Sequence, residues 1–585
     1  MSENLQRLNE WLKEETLDAT LRGELESLLT QYEKVPNGEA APEIADRFYR
    51  ELEFGTAGMR GIMGAGLNRI NVHTIRRATQ GFAAALTEIK VKFTPTTPLR
   101  VAIAYDNRLN SDLFAYEAAC VFAANGIEAL VFGSLSATPL LSYAVRELNC
   151  LGGLVITASH NSKRYNGYKI YDDTGCQCLE GLATRVSQLI ELVDIWKGVK
   201  TVASQYSGTV SERLAAAAEN ESLIQIISEK VEQQFVEDVL KLSLGREGLS
   251  NLNVVYTPLN GTGRVPVSAA LAAIGVGSLD GPKAQMEPDP YFTTCPEPNP
   301  EKMDALSLGL SLCREKQGLG NPPDILIGTD PDCDRVGVAV FHGGDYLRLT
   351  GNQIGVLLLD YIIERRIEKG DFPKDGLMVT TIVSSPLASV LAEEKGLEVR
   401  KVLTGFKYIG ETINNLTNQG TARRFLFGFE ESCGYLSGTH VRDKDAVNAS
   451  VLICEMAARY KTQSKTLLDR LQEIYETYGY FVEELQEFAK PGADGMAEIA
   501  AMMQQGRNPE MQKRFSVPVV FHKDYAQDKN RPANVIEFNF EDGSRAILRP
   551  SGTEPKLKIY YFGRGKTQTE AEAAVARVKG EMKFL

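Results

Sequence analysis

Ser159 stands beside His160 within Thr157-Ala-Ser-His-Asn-Ser-Lys-Arg-Tyr-Asn-Gly-Tyr-Lys169. A serine hydroxyl is a weak nucleophile until a base or a strong electrophile assists it. A phosphoryl group on it would add a charge of about −1.5 to −2 that needs compensation. Lys163, Arg164 and Lys169 are the nearby cations. The same stretch also fits a polar surface loop with an Asx turn at Asn166-Gly167. By itself it does not choose between the two.

Asp330-Pro-Asp-Cys-Asp-Arg335 places three carboxylates on alternate residues. Alternate residues of an extended segment point the same way, so the three can converge on one ion. Oxygen ligands alone suit a hard cation such as Mg²⁺. An EF-hand is excluded, because its sixth position would be Arg335 rather than Gly and its twelfth Phe341 rather than Glu. Three clustered carboxylates repel one another unless a cation lies among them.

Two further stretches carry polar groups suited to a phosphorylated sugar. Gly428-Phe-Glu-Glu-Ser-Cys-Gly434 offers acids and a hydroxyl, and His440-Val-Arg-Asp-Lys-Asp445 follows it. Lys444 or His440 can exchange a proton with a hydroxyl. Alternating charges of this kind also occur on plain surface. Arg549-Pro-Ser-Gly-Thr-Glu-Pro555, with Lys556 and Lys558 behind it, gathers an arginine, two hydroxyls and a small turn. Such a set cradles phosphate through side chains and backbone N–H groups.

These stretches follow segments that read as strands, where open α/β sheets place their ligands. Val101–Tyr105, Ala129–Phe132 and Gly153–Thr157 are strands by this reading, with helical sequence between them, such as Leu113–Ala124. Strands separated by helices predict parallel sheets with crossover connections. A helical linker is expected around Val202–Glu247. Asn253–Thr257 and Ile325–Gly328 begin a second unit; Met378–Val383, Val399–Leu403 and Arg424–Phe429 a third. In the tail, Val535–Phe540, Ala546–Leu548 and Leu557–Phe562 alternate or are β-rich, with a turn at Asp542-Gly543 and a helix from Thr567 to Met582, which reads as a smaller α+β domain. Helices occupy the first fifty residues, before the glycine-rich Phe54-Gly-Thr-Ala-Gly-Met-Arg-Gly61.

The chain has 585 residues, enough for several domains, and a formal net charge of −12. That sign argues against broad nucleic-acid binding, which needs a basic face. A local cationic cleft can still attract an anionic substrate. Nine scattered cysteines do not form a disulfide framework, and the lone Cys176-x-Cys178 does not make a zinc site. The apolar run Ile354–Ile363 is interrupted by Asp360 and too short to span a bilayer. A cytoplasmic enzyme without membrane or nucleic-acid partners is the expectation.

Taken together and in this order, the motifs T-A-S-H-N…Y-N-G-Y-K, G-T-D-P-D-x-D-R, G-x-E-E-S and R-x-S-G-T-E-P resemble those of the α-D-phosphohexomutase family. The resemblance runs from about Phe54 to Tyr561, and F-G-T-A-G-M-R-G resembles the long phosphoglucomutase/phosphopentomutase branch. It implies an α/β fold of three related α/β domains with mixed, largely parallel sheets, plus a smaller C-terminal α+β domain, around a central cleft. The expected domains are 1–205, 206–325, 326–465 and 466–585. The implied catalytic residues are Ser159 as phosphoserine, His160, Lys169, Arg60 and Lys444. Asp330, Asp332 and Asp334 would hold one Mg²⁺ with the serine phosphate, and Arg335 would support the charge. Thr404, Gly405, Glu430, Ser432 and His440 would contact the sugar. Arg549, Ser551, Gly552 and Thr553 would grip its other phosphate. One departure is Ser162, where the family often has a stiffening proline.

The implied reaction interconverts glucose 1-phosphate and glucose 6-phosphate, with glucose 1,6-bisphosphate as intermediate and activator. Pentose and mannose phosphates are the next substrates, and a glucose-1,6-bisphosphate synthase is a further variant. Partners would be sugar phosphates, in a monomer or dimer. Two other classes compete. Asp330-Pro-Asp332 also fits the nucleophile loop of a haloacid dehalogenase-type phosphatase, which leaves Ser159 and Arg549 without roles. A non-catalytic sugar-phosphate sensor would keep the fold and lose turnover.

Overall fold

The computed structural model describes residues 3–55, 58–92, 98–490, 495–551 and 556–583. Helices Glu3–Lys13, Ala19–Lys34 and Ala40–Phe48 open the chain. They bury Leu8, Trp11, Leu25, Ile44 and Phe48 against one another, with Trp196 packed alongside. The helical spacing of these apolar residues is what the sequence predicts.

Among the described residues, the strands form four sheets. The first holds β1 (Met59–Ile62), β2 (Arg100–Tyr105), β3 (Glu128–Phe132), β4 (Gly152–Ile156), β5 (Tyr165–Asp172) and β6 (Ile224–Ile227), in the order β1-β5-β4-β2-β3-β6. The second holds β7 (Asn253–Thr257), β8 (Ser278–Asp280), β9 (Ile325–Thr329), β10 (Val336–His342) and β11 (Asp345–Leu349), in the order β11-β10-β9-β7-β8. The third holds β12 (Leu377–Thr381), β13 (Glu398–Val402), β14 (Phe425–Glu430) and β15 (Gly434–Leu436), in the order β13-β12-β14-β15.

These three sheets repeat one plan. Three strands run parallel with the first in the middle, and the third then folds back into an antiparallel neighbour. The inner parallel strands β2, β9 and β12 are buried on both faces, as sheets covered by helices require, while the edge strands β8 and β13 are partly exposed. The returning connections are residues 157–164, 330–335 and 431–433. Three of the chemically loaded stretches therefore occupy the same place in three related units. Each contains one non-glycine residue in the left-handed region: Ser159 (φ 52°), Cys333 (φ 54°) and Cys433 (φ 61°).

The fourth sheet is antiparallel throughout. It holds β16 (Tyr480–Ala489), β17 (Val519–Asp524), β18 (Ile536–Phe540), β19 (Arg545–Pro550) and β20 (Lys556–Gly565), in the order β16-β20-β19-β18-β17. Helices Gly495–Arg507 and Gln568–Glu581 cover it, and Asp542-Gly543 turns between β18 and β19 as expected.

Several boundaries differ from the sequence reading. The expected linker 202–247 contains β6, which extends the first sheet, so a boundary at 205 cuts that sheet. A boundary at 325 would divide the second sheet, which runs on to Leu349. Helix Leu467–Tyr478 buries Leu467, Leu471 and Ile474 in the core it shares with the third unit, so that unit ends near 478 rather than 465. Tyr165–Lys169 lies in β5, not in a loop or Asx turn. Gly167 is needed there because a Cβ would meet the Thr157 carbonyl at 2.5 Å. All nine cysteines are buried and unpaired. No helix among the described residues is long and apolar enough to cross a membrane.

Candidate active site

The β4–β5 connection carries Ser159, held by its neighbours rather than by regular structure. The Ser159 N–H donates to Thr157 Oγ1 at 2.8 Å. Ser159 Oγ donates to Asp330 Oδ2 at 2.7 Å and lies 3.1 Å from His160 Nδ1. The hydroxyl of the first unit thus touches the acidic loop of the second. Loss of solvation, with the charges of Arg335 and Arg60, pushes the His160 imidazole well below its usual range, so it is neutral.

Asp330, Asp332 and Asp334 are buried, and a carboxylate oxygen of each lies within 4.8 Å of the others. Asp330 Oδ1 accepts from the N–H groups of Asp334 and Arg335 at 3.1 and 3.0 Å. Lys169 Nζ donates to Asp332 Oδ2 at 2.8 Å, and Lys444 Nζ lies 3.1 Å from Asp334 Oδ2. Arg335 Nε lies 3.6 Å from Asp334 Oδ1, and its Nη1 donates to the Ser432 carbonyl at 3.2 Å. Burial and the two neighbouring carboxylates push Asp330 well above the usual carboxylate range. Burial would also raise Asp332, but Lys169 outweighs it and holds that carboxyl low. Burial alone would lower the Lys444 ammonium; Asp334 and Asp443 reverse that and hold it above the usual lysine range.

Asp332 Oδ1 and Asp334 Oδ1 are buried without a hydrogen-bond partner among the described residues. Buried carboxylate oxygens left unsatisfied cost free energy. Two of them facing a cluster of three acids fit a hard divalent cation ligated by oxygen.

The third unit adds Lys444 and the β14–β15 connection. Lys444 lies flat against Gly434, where a Cβ would meet its Cδ at 2.1 Å. Glu430 Oε1 accepts from the Gly405 N–H at 2.8 Å, joining the Thr404-Gly405 and Glu430-x-Ser432 loops. Thr404 Oγ1 is buried without a hydrogen-bond partner. Glu431 is pushed up to about 7 by burial and by the Glu430 charge. Arg60, on β1, reaches Asn161 Oδ1 at 3.0 Å and so borders the serine loop. Arg549 is the penultimate residue of β19, and the Ser551 N–H donates to the Lys556 carbonyl at 2.8 Å. Gly552 and Thr553 lie outside the described residues.

His440 is placed differently from expectation. Its Nε2 lies 2.7 Å from Asp445 Oδ2, and its ring stacks on Phe235. Asp445 in turn caps helix Ala446–Thr462 by accepting from the Val447 and Asn448 N–H groups. These contacts give His440 a packing role at the helix start, and none of them reaches the acidic loop.

Asp106, Arg108 and Thr138 belong to the site and were not singled out from sequence. Asp106 and Arg108 follow β2, the middle strand of the first unit. Arg108 is fully buried and donates to the carbonyls of Ser159, Asn161, Ser162 and Tyr165. Asp106 lies 3.3 Å from the Arg108 Nε and accepts from Thr157 Oγ1 at 2.6 Å. Thr138 begins a helix, and its hydroxyl donates to Asp332 Oδ2 at 3.0 Å while its N–H donates to the Asp332 carbonyl at 2.8 Å. The available signal was position: Asp106-Asn-Arg108 follows a strand end, where such sheets place ligands.

Comparison with known proteins settles the family. Models described as phosphoglucomutase/phosphomannomutase alpha/beta/alpha domains I, II and III match residues 51–194, 233–343 and 350–478, and the C-terminal domain of the same set matches 486–579. A phosphoglucomutase of Staphylococcus aureus strain USA300 is 36% identical over 536 residues, covering 88% of this chain and 90% of that one. The chain belongs to the α-D-phosphohexomutase family. It is accordingly a phosphotransferase of the mutase type. Among solved structures, the open form of Paramecium parafusin, a phosphoglucomutase, superposes with a TM-score of 0.68 at 18% identity, covering 91% of this chain and 94% of that one. A phosphoglucomutase/phosphomannomutase family protein of Burkholderia thailandensis gives 0.63 at 15% identity, covering 91% and 97%. At such identities these two speak for the fold alone.

Proposed function

We propose that this phosphohexomutase interconverts glucose 1-phosphate and glucose 6-phosphate through a phosphorylated Ser159 and a glucose 1,6-bisphosphate intermediate. The carrying observation is the 2.7 Å contact of Ser159 Oγ with Asp330, inside a ring of three acids and the cations Lys169, Lys444 and Arg335. A sugar hydroxyl oxygen bonds to the phosphorus of phosphoserine as the bond from phosphorus to Ser159 Oγ breaks. The hydroxyl loses its proton and Ser159 Oγ gains one, so charge balances over the step. His160, neutral and beside Ser159 Oγ, can take the serine proton when Ser159 Oγ attacks in the return transfer. Lys444, held as an ammonium, or Lys169 can give Ser159 Oγ its proton and regain one from the sugar hydroxyl, and both steady charge on the moving group. Arg60 borders the same loop.

The sugar bisphosphate then turns over and returns its other phosphoryl group to Ser159. Glu430, Ser432, Thr404 and Gly405 are assigned to the sugar hydroxyls, and Arg549, Ser551, Gly552 and Thr553 to the phosphate that is not reacting. One Mg²⁺ held by Asp330, Asp332 and Asp334 would supply positive charge to the phosphoryl oxygens. The phosphatase reading fits poorly, because Asp330 is enclosed, with Oδ1 and Oδ2 both engaged.

The test is turnover of glucose 1-phosphate, mannose 1-phosphate and ribose 1-phosphate with Mg²⁺ and a trace of glucose 1,6-bisphosphate. The expected result is preference for glucose 1-phosphate, abolished in Ser159→Ala. Full turnover by Ser159→Ala would sink the phosphoserine mechanism. Preference for ribose 1-phosphate would reassign the substrate.

A further inference from the structure

The fourth unit is tied to the first through the helix that follows the Thr404-Gly405 loop. Arg531, in the turn before β18, donates from Nη1 and Nη2 to the two carboxylate oxygens of Glu411, each at 2.7 Å. Its guanidinium carbon lies 4.7 Å from the centre of the Tyr408 ring. Glu411 and Tyr408 are three residues apart on helix Lys407–Asn418 of the third unit, and so share a face. The Tyr408 hydroxyl donates to Glu180 Oε1, and Lys407 Nζ donates to the same oxygen at 2.8 Å. Glu180 opens helix Glu180–Glu191 of the first unit. The chain Arg531, Glu411, Tyr408, Lys407, Glu180 therefore crosses three units without a break.

The same helix begins where sugar contacts are assigned. Gly405, in the left-handed region at φ 124°, reaches Glu430, and the Phe406 ring lies 5.6 Å from Lys444 Nζ. The fourth unit has a second hold on the third. Tyr525, Val535, Ile547, Tyr560 and Phe562 pack on Ile382 and Val383, and Arg545 donates to the Ile382 carbonyl. That apolar contact joins units three and four alone, whereas the charged chain extends the hold to unit one.

We propose that this chain is a clasp that keeps the bisphosphate in the cleft between its two phosphoryl transfers. The proposal rests on the mutase reading above. An intermediate that must turn over cannot be gripped rigidly, and its escape leaves Ser159 without a phosphoryl group. The clasp suits that need. Arg531, Glu411 and Glu180 are partly exposed, at 38%, 25% and 42%. Exposed pairs are weak singly and screened by salt. Bidentate geometry and the stacked ring add to this one. The result is a contact able to break and reform within a turnover.

The experiment starts from full-length enzyme carrying a radiolabelled phosphoryl group on Ser159, given glucose 1-phosphate without added bisphosphate. Label released as free glucose 1,6-bisphosphate is counted per turnover, for wild type, Arg531→Leu, Glu411→Gln and the swap Arg531→Glu with Glu411→Arg. Both single variants should release label about tenfold more often per turnover than wild type. Their kcat at saturating bisphosphate should stay within about twofold, and the swap should recover much of the retention. Raised salt should increase release from wild type and leave Arg531→Leu little changed. Melting temperatures confirm folding, and faster hydrogen exchange over residues 404–410 in Arg531→Leu is the supporting readout independent of activity. Release unchanged from wild type in the folded single variants overturns the clasp. A wild-type enzyme that never forms labelled bisphosphate overturns the mutase reading itself, and the clasp with it.

Discussion

Arg108 shows how much of the chemistry depends on a residue that need not touch substrate. Its guanidinium fills the space under the serine loop and satisfies four backbone carbonyls, including that of Ser159. Asp106 offsets its charge and, through Thr157, steadies the Ser159 N–H. That frame holds Ser159 at φ 52°, outside the region serine prefers, with Oγ turned to Asp330. Arg108→Met should leave Asp106 buried without its partner, at a cost on the order of 3–5 kcal/mol. Turnover per folded molecule should fall at least about a hundredfold, since a shift of about 1 Å can cost that much. Arg108→Lys, which keeps the charge but not the fork, should fall between. Thermal unfolding and kcat check this; wild-type kcat in folded Arg108→Met would refute it. The three aspartates stood out by type and spacing, whereas Ser159, Lys169 and Lys444 stood out only when the motifs were read together and in order. Arg108 and Thr138 did not stand out, because their roles arise only when distant strand ends meet. His440 misled for the converse reason, since a histidine between charged residues reads the same whether it faces a cleft or a helix cap.

Elements away from the site carry a pH dependence of their own. His73 joins the opening helices to the first unit, buried between Trp11 and Trp196. Its Nε2 accepts from the Asp18 N–H at 3.2 Å, which requires the neutral ring on that side. Burial, then the charge of Arg76, lowers its pKa to about 4, while Asp18 opposes weakly. A histidine depressed when folded binds its proton more readily when unfolded. Stability is therefore complete above the unfolded value near 6.5 and falls as pH drops toward about 4, by up to roughly 3 kcal/mol. Trp11 and Trp196 are the protein's two tryptophans, so indole fluorescence reports this junction directly. Acidification from pH 7 to 4.5 should lower the melting temperature seen by fluorescence, and His73→Phe should flatten that slope. An equal slope in the variant would place the acid sensitivity elsewhere. At this scale the sequence told strand from helix well where a short apolar run or a long periodic stretch stood clear, as in Val101–Tyr105 or the closing helix. It hid β5 and β6. Tyr165–Lys169 looks like a loop because asparagine and glycine sit where one strand presses on another, and β6 is four residues set between two helices.

The whole molecule is organised so that no unit owns the site. The first supplies Ser159, Lys169 and Arg60, the second the acidic loop, and the third Lys444 and the Ser432 carbonyl that Arg335 reaches. The shared strand plan explains how this arises, since three equivalent returning connections converge from three sheets. It also explains how a chain of net charge −12 accepts an anion, for Lys169, Lys444 and Arg335 match the three carboxylates one for one. A divalent cation added to that balanced set leaves an excess of about two positive charges, which phosphoserine, at about −1.5 to −2, cancels. Cation and phosphoryl group should therefore bind cooperatively. A ligand that binds only the folded state at about a hundred times its Kd stabilises it by about 2.7 kcal/mol. Mg²⁺ should accordingly raise the melting temperature by several degrees in the phosphorylated enzyme, and by less in the dephosphorylated enzyme or Ser159→Ala. Asp332→Asn should abolish the rise, and EDTA should reverse it in wild type. Because the acidic loop meets Ser159 of the first unit and Lys444 of the third, Mg²⁺ should slow hydrogen exchange at the β4–β5 connection and at residues 440–445 as well as in the acidic loop. The fourth unit, which places none of the groups paired with the acidic loop, should change little. Protection confined to residues 330–335 would mean that the cation organises one loop and leaves the assembly of the cleft to the packing between units.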